Sequence, residues 1–162
     1  MSSLQTTSWL TGRVLIIMFT AYSFGRLLVQ YRVPDMIAES LLSITSDVHL
    51  IWALVIIFLL FMGMFMETLA IIMLVTPVLL PIMVGLGIDP IHFGIVLVCC
   101  CGVGFSTPPL GENMFIASGI GGVSLEEISL KALPFCAITI GVIFIMAYFP
   151  DLVMWLPRFM GY

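Results

Sequence analysis

The chain has 162 residues, of which 62% are hydrophobic and only 9% are charged, and it carries a formal charge of −4. Soluble domains carry about 25% charged residues, so this composition excludes a soluble domain and describes a membrane protein. Its five basic residues are scattered along the chain, which excludes a basic nucleic-acid-binding face and leaves no positive-inside bias to orient it.

Trp9–Gln30 reads as one membrane helix, with Arg13 and Arg26 inside its ends. Arg26 is close enough to Arg32 to snorkel to the same interface. The stretch before the apolar run Val14–Val29 is long and polar, with only Arg13 positive, and "AYSFG" is a poor cleavage site, so a retained helix is expected rather than a signal peptide. Pro34 then opens "PDMIAESLLSI". Met36, Ile37, Leu41 and Ile44 share one helical stripe, with Asp35, Glu39 and Ser40 elsewhere. This arm is too short to span and suits an amphipathic helix lying on the membrane or against another subunit.

Residues 50–88 hold one charge, Glu67, between two apolar arms. They form either two spanning helices with a tight turn, or a hairpin whose tip, near Gly63–Thr68, stops at membrane depth. Irregular backbone at that depth needs protein or a water-filled cavity around it. An intramembrane carboxylate such as Glu67 is a functional-site candidate by default. Asp89-Pro90 supplies an N-cap and a first-turn proline for the next helix, and His92 in its first turn reads as structural. Cys99, Cys100, Cys101 and Cys136 lack metal-ligand spacing and read as small apolar packing residues.

A helix over Ile91–Phe105 then meets "GVGFSTPPLGEN". Pro108 and Pro109 have no N–H, so the carbonyls of Gly104 and Phe105 are expected to lose their helical partners. Proline also disfavours the α region for the residue before it. The helix is expected to break at Ser106–Thr107 and resume over Leu110–Ile120. The C-terminal end of the first half carries partial negative charge and bare carbonyls, to which Ser106 and Thr107 add hydroxyls; together they suit a small hard cation such as Na⁺. The N-terminal end of the second half suits an anionic group. Secondary transporters build midplane sites this way. Ser124 and Glu127 have the spacing of a capping box and start a last membrane helix through Tyr148, stopped by Pro150 and Asp151. An aromatic interfacial tail follows.

In order, "GMFMETLAIIMLVTPVLLPI", "GIDPIHFGIV", "GFSTPPLGENMFIASGI", "VSLEEI", "LPF" and "YFPDLVMWLP" resemble the C-terminal part of the large membrane subunit of tripartite ATP-independent periplasmic (TRAP) transporters, from about Pro34 to Pro157. The resemblance implies an all-α integral membrane fold of elevator type, of which this chain carries one inverted-repeat half, with a re-entrant helical hairpin and a discontinuous helix. It implies a scaffold-like part over 1–48 and half a transport core over 49–162: hairpin 50–88, broken helix 90–121, last membrane helix 124–149 and the tail. Na⁺ as coupling ion is expected at Gly63, Met66, Thr68, Gly104, Phe105, Ser106 and Thr107, and an organic anion at Pro108, Pro109, Gly111, Glu112 and Asn113.

The resemblance also implies import of C4-dicarboxylates or sialic-acid-like carboxylates across a bacterial inner membrane, with no enzyme activity. The implied partners are a small membrane subunit, the rest of the large subunit and a periplasmic binding protein that delivers substrate. Only one inverted repeat is present, which implies a fragment or one piece of a split subunit. Where the family carries Gly-apolar-Asn, this chain has Gly111-Glu112-Asn113. Two rival readings are a structural or assembly subunit, whose broken helix serves packing alone, and an intramembrane protease built on Ser106 with His49 or His92.

Overall fold

The computed structural model describes residues 3–45, 47–108 and 111–161. These form eight helices: α1 (Ser3–Gln30), α2 (Val33–Ile44), α3 (Val48–Phe65), α4 (Thr68–Gly85), α5 (Pro90–Gly104), α6 (Glu112–Gly121), α7 (Leu125–Tyr148) and α8 (Pro150–Phe159). No strand occurs among the described residues. Among the described residues, four stretches are long and apolar enough to cross a membrane: Thr7–Gln30, Val48–Phe65, Thr68–Gly85 and Leu125–Tyr148.

Local chemistry sets the boundaries. The polar N-terminal residues join the first helix, so α1 starts at Ser3 rather than at Trp9. Arg32 takes the left-handed conformation at φ 54° and turns the chain sharply from α1 into α2. Asp47 caps α3 by accepting from the N–H of His49 at 2.9 Å, and Asp89 caps α5 by accepting from Ile91 N at 2.8 Å. The turn between the two apolar arms is shorter than expected. Helix α3 runs through Gly63 to Phe65, and only Met66 and Glu67, both extended, separate it from α4. Ser124 caps α7 by accepting from Glu127 N at 3.4 Å. The Glu127 carboxylate pairs with Lys131 at 3.0 Å, so only half of the expected capping box forms. The tail after Pro150 is itself helical.

Association of helices in lipid rests on close packing rather than on a hydrophobic drive, so small residues at interfaces matter. Helices α3 and α5 run parallel. At one end Trp52 packs on the rings of His92 and Phe93, with centroids 5.3 Å and 6.3 Å away; at the other, Gly63 meets Gly104. Helix α7 runs antiparallel to α5, with Met146 beside His92 and Cys136 beside Ser106. Helix α4 packs chiefly along α1 and then α5, while α2 lies over α4. A side chain at Gly25 would put its Cβ 3.1 Å from the Met73 carbonyl oxygen. That is the oxygen Pro77 deprives of its i+4 donor, so α1 approaches α4 where the latter's ladder is interrupted. Ile51, Ile56, Leu59, Ile71, Met83, Phe93 and Val96 form the centre of the core, joined by the small Cys100 and Cys101.

Candidate functional site at the helix break

Helix α5 ends at Gly104 and α6 begins at Glu112 with Gly111 as its N-cap. The helix is therefore discontinuous where the prolines require it, and α6 resumes slightly later than expected. Pro108 lies half-buried inside the break. Pro109 and Leu110, and the side chain of Glu112, lie outside the described residues.

The carbonyls expected to be bare are partnered. Gly104 O accepts from Thr107 N at 3.0 Å, and Phe105 O accepts from Asn113 N at 3.2 Å. The chain tightens into i+3 bonds after Cys101, and α6 folds back to place its second N–H on Phe105. This corrects the expectation of orphan oxygens, and the reason is local: a tight turn supplies N–H groups that a straight helix would not. It also occupies one N–H of the α6 terminus. Each carbonyl oxygen still has a second lone pair.

The hydroxyls are likewise engaged on one side. Thr107 Oγ1 donates to Val103 O at 2.7 Å, and Ser106 Oγ accepts from Asn113 Nδ2 at 3.4 Å. The Ser106 carbonyl accepts from the Cys136 thiol on α7 at 3.0 Å. Cys136 is therefore more than a packing residue: it ties the break to the neighbouring helix. Its position in an apolar run gave no sequence signal for this role.

Two glycines bring the hairpin turn to the break. A Cβ on Gly104 would stand 2.6 Å from Gly63 Cα, and one on Gly63 would stand 3.1 Å from Gly104 Cα. The last turns of α3 and α5 thus touch backbone to backbone. Gly111 is as constrained, because a Cβ there would strike the Phe105 carbonyl and lie 3.0 Å from Thr107 O. Gly102, by contrast, has open space around it. Met66, Glu67 and Thr68, all half-buried, follow Gly63 around the turn. Among the described residues no hydrogen bond joins Met66 or Thr68 to 104–108, so their proximity to the break runs through Gly63.

The break is level with the middle of α7, a helix long and apolar enough to span. Cys136, its partner, lies 11 residues after Leu125 and 12 before Tyr148, the two ends of α7. The histidines are elsewhere. His92 contacts Met146, ten residues along α7 from Cys136, or roughly 15 Å at 1.5 Å per residue. His49 is held at the same far end, where its carbonyl accepts from the Tyr148 hydroxyl at 3.2 Å. That distance removes the protease reading. His92 is structural, as expected: its Nε2 bonds the Met146 carbonyl at 2.9 Å, the oxygen that Pro150 leaves without an i+4 donor.

A family profile described as "Tripartite ATP-independent periplasmic transporter, DctM component" matches residues 1–152. The isethionate TRAP transporter permease protein DctMQ of Oleidesulfovibrio alaskensis is 40% identical over 89% of this chain and 23% of its own length. Two permeases of Vibrio cholerae are also similar. The C4-dicarboxylate TRAP transporter large permease protein DctM is 35% identical over 96% of this chain and 34% of its own length. The sialic acid TRAP transporter large permease protein SiaM is 31% identical over 98% of this chain and 38% of its own length. These relatives are transport permeases rather than enzymes. The chain spans between about a quarter and two-fifths of their length.

Proposed function

This chain belongs to the DctM-component family of tripartite ATP-independent periplasmic transporters, and from that premise we propose that it carries part of the core of a secondary active importer of organic anions. The coupling ion is Na⁺. It binds where α5 ends, on the hydroxyls of Ser106 and Thr107 and the second lone pairs of the Gly104 and Phe105 carbonyls, completed by backbone from Gly63 to Thr68. The anion binds on the other side of the break, along 108–113, with Pro108, Gly111 and Asn113 as its walls. Substrates are small carboxylates or sulfonates, the classes named for the relatives. The rest of the large subunit, a small membrane subunit and a periplasmic binding protein complete the machine in a bacterial inner membrane.

The observation that carries this reading is the meeting of two helix interruptions at one depth. The turn at Met66–Glu67 closes directly after Gly63, and Gly63 lies against Gly104 at the break. Because Cys136 sits near the middle of α7, the same contact favours a re-entrant hairpin, whose turn stops at mid-depth, over a pair of spanning helices. Convergent carbonyls, hydroxyls and helix ends at that depth are what a small cation and an anion require.

The test is a Na⁺ titration of uptake by the assembled transporter. Thr107→Ala deletes one ligand and is expected to weaken Na⁺ binding by roughly 1–3 kcal/mol, about ten-fold or more in half-saturating Na⁺. Uptake at saturating Na⁺ partly survives. An unchanged titration, or no cation dependence at all in the unmodified complex, would return the break to a packing role.

A further inference from the structure

The end of the bundle opposite the break holds a cavity. Its volume is about 570 Å³, and it is lined from four elements, by His49 and Trp52 of α3, Asp89 at the start of α5, Tyr148 of α7 and Arg158 of α8. That volume falls within the ~300–1,000 Å³ range of ligand sites. Helix α8 tells at which depth the cavity lies. Leu152, Trp155, Leu156 and Phe159 are exposed and share one helical stripe, while Met154 turns inward and Asp151 pairs with Arg158 at 2.6 Å. A short helix with an outward apolar stripe and a tryptophan lies in the plane of the membrane interface. The cavity beneath it is therefore at headgroup depth.

Its chemistry is that of a zwitterion. Arg158 uses Nη1 for Asp151, and a guanidinium has further N–H donors for a phosphate. Both cap bonds of Asp89 fall on one oxygen, Oδ1, leaving Oδ2 for a cation. With Asp151 paired to Arg158, the site holds two carboxylates and one guanidinium, which disfavours a ligand that is anionic overall. A primary ammonium can donate directly to the free Asp89 oxygen, whereas a quaternary ammonium has no N–H to donate. We propose that this cavity binds the headgroup of phosphatidylethanolamine, with its phosphate on Arg158 and its ammonium on Asp89. The proposal stands independently of the transport reading.

The experiment uses the 162-residue chain, purified in neutral detergent and stripped of lipid. Its unfolding midpoint is followed against short-chain phosphatidylethanolamine, phosphatidylcholine, phosphatidylglycerol and free phosphoethanolamine. Phosphatidylethanolamine is expected to stabilise at about ten-fold lower concentration than the other lipids. Asp89→Asn, which keeps a good N-cap, removes the preference over phosphatidylcholine. Arg158→Gln weakens both of these lipids. The lipid-free midpoint of each variant reports its folding separately. Equal stabilisation by all the lipids, a preference unchanged in both variants, or free phosphoethanolamine acting as strongly as its lipid would overturn the assignment.

Discussion

Two places in this bundle share one cause and differ in how the chain answers it. Pro108 deprives Gly104 of its i+4 donor, and Pro150 does the same to Met146. At the break the deficit is met within a few residues, by the N–H of Thr107 on Gly104 O. At the opposite end it is met from 54 residues away, by the ring of His92 on Met146 O. The second solution is rigid, because His92 is 3% exposed and packed on Trp52. The first is a short turn whose oxygens keep free lone pairs beside half-buried hydroxyls. A proline therefore makes a structural joint where a distant side chain caps the carbonyl, and a potential ligand site where only the local backbone does.

The contrast can be broken from either end. The largest effect is expected at the glycine contact. Gly104→Ala presses a Cβ into the Gly63 backbone, which cannot yield as a flexible side chain would. The loss should be about 1–3 kcal/mol in a denaturant titration of the detergent-solubilised chain. Gly102→Ala, in open space on the same helix, is the control. It should be neutral or stabilising by up to ~1 kcal/mol. Similar losses in both would mean that helix composition matters, not contact.

Next comes the distal joint. His92→Phe keeps a ring on Trp52 but leaves the Met146 carbonyl without its donor, costing about 1–2 kcal/mol of stability. Its effect on half-saturating Na⁺ in the assembled transporter should be nil. A shifted Na⁺ titration in this variant would mean that the two ends are coupled. Cys136→Ala removes a weak thiol donor from Ser106 O, and a loss near ~0.5–1 kcal/mol is expected, with Cys136→Ser restoring most of it. The smallest change belongs to Lys131→Met. It deletes an exposed i,i+4 pair with Glu127 and should move the unfolding midpoint by no more than ~0.5 kcal/mol.

Much of this is legible in the sequence. Composition alone settles the membrane class, because so few charges cannot solvate a surface. Asp89-Pro90, Ser124 and the double proline are punctuation whose local physics barely depends on context, so the starts of α5 and α7 and the position of the break follow from residue type. Backbone and side-chain chemistry within three or four residues decides such features.

What the sequence could not determine is where each freed group finds its partner. The proline rule marks the Gly104, Phe105 and Met146 carbonyls as deprived, yet it cannot say that Thr107 and Asn113 supply the first two from inside a turn, or that His92 supplies the third from another helix. Nor does an apolar run announce that Cys136 points at Ser106, or that Gly63 and Gly104, and not Gly102, form the closest approach. Those pairings are set by which helix faces meet. In a chain this uniformly apolar, periodicity carries little information about facing. Only the packed bundle, through sub-ångström steric fit between backbones, selects them.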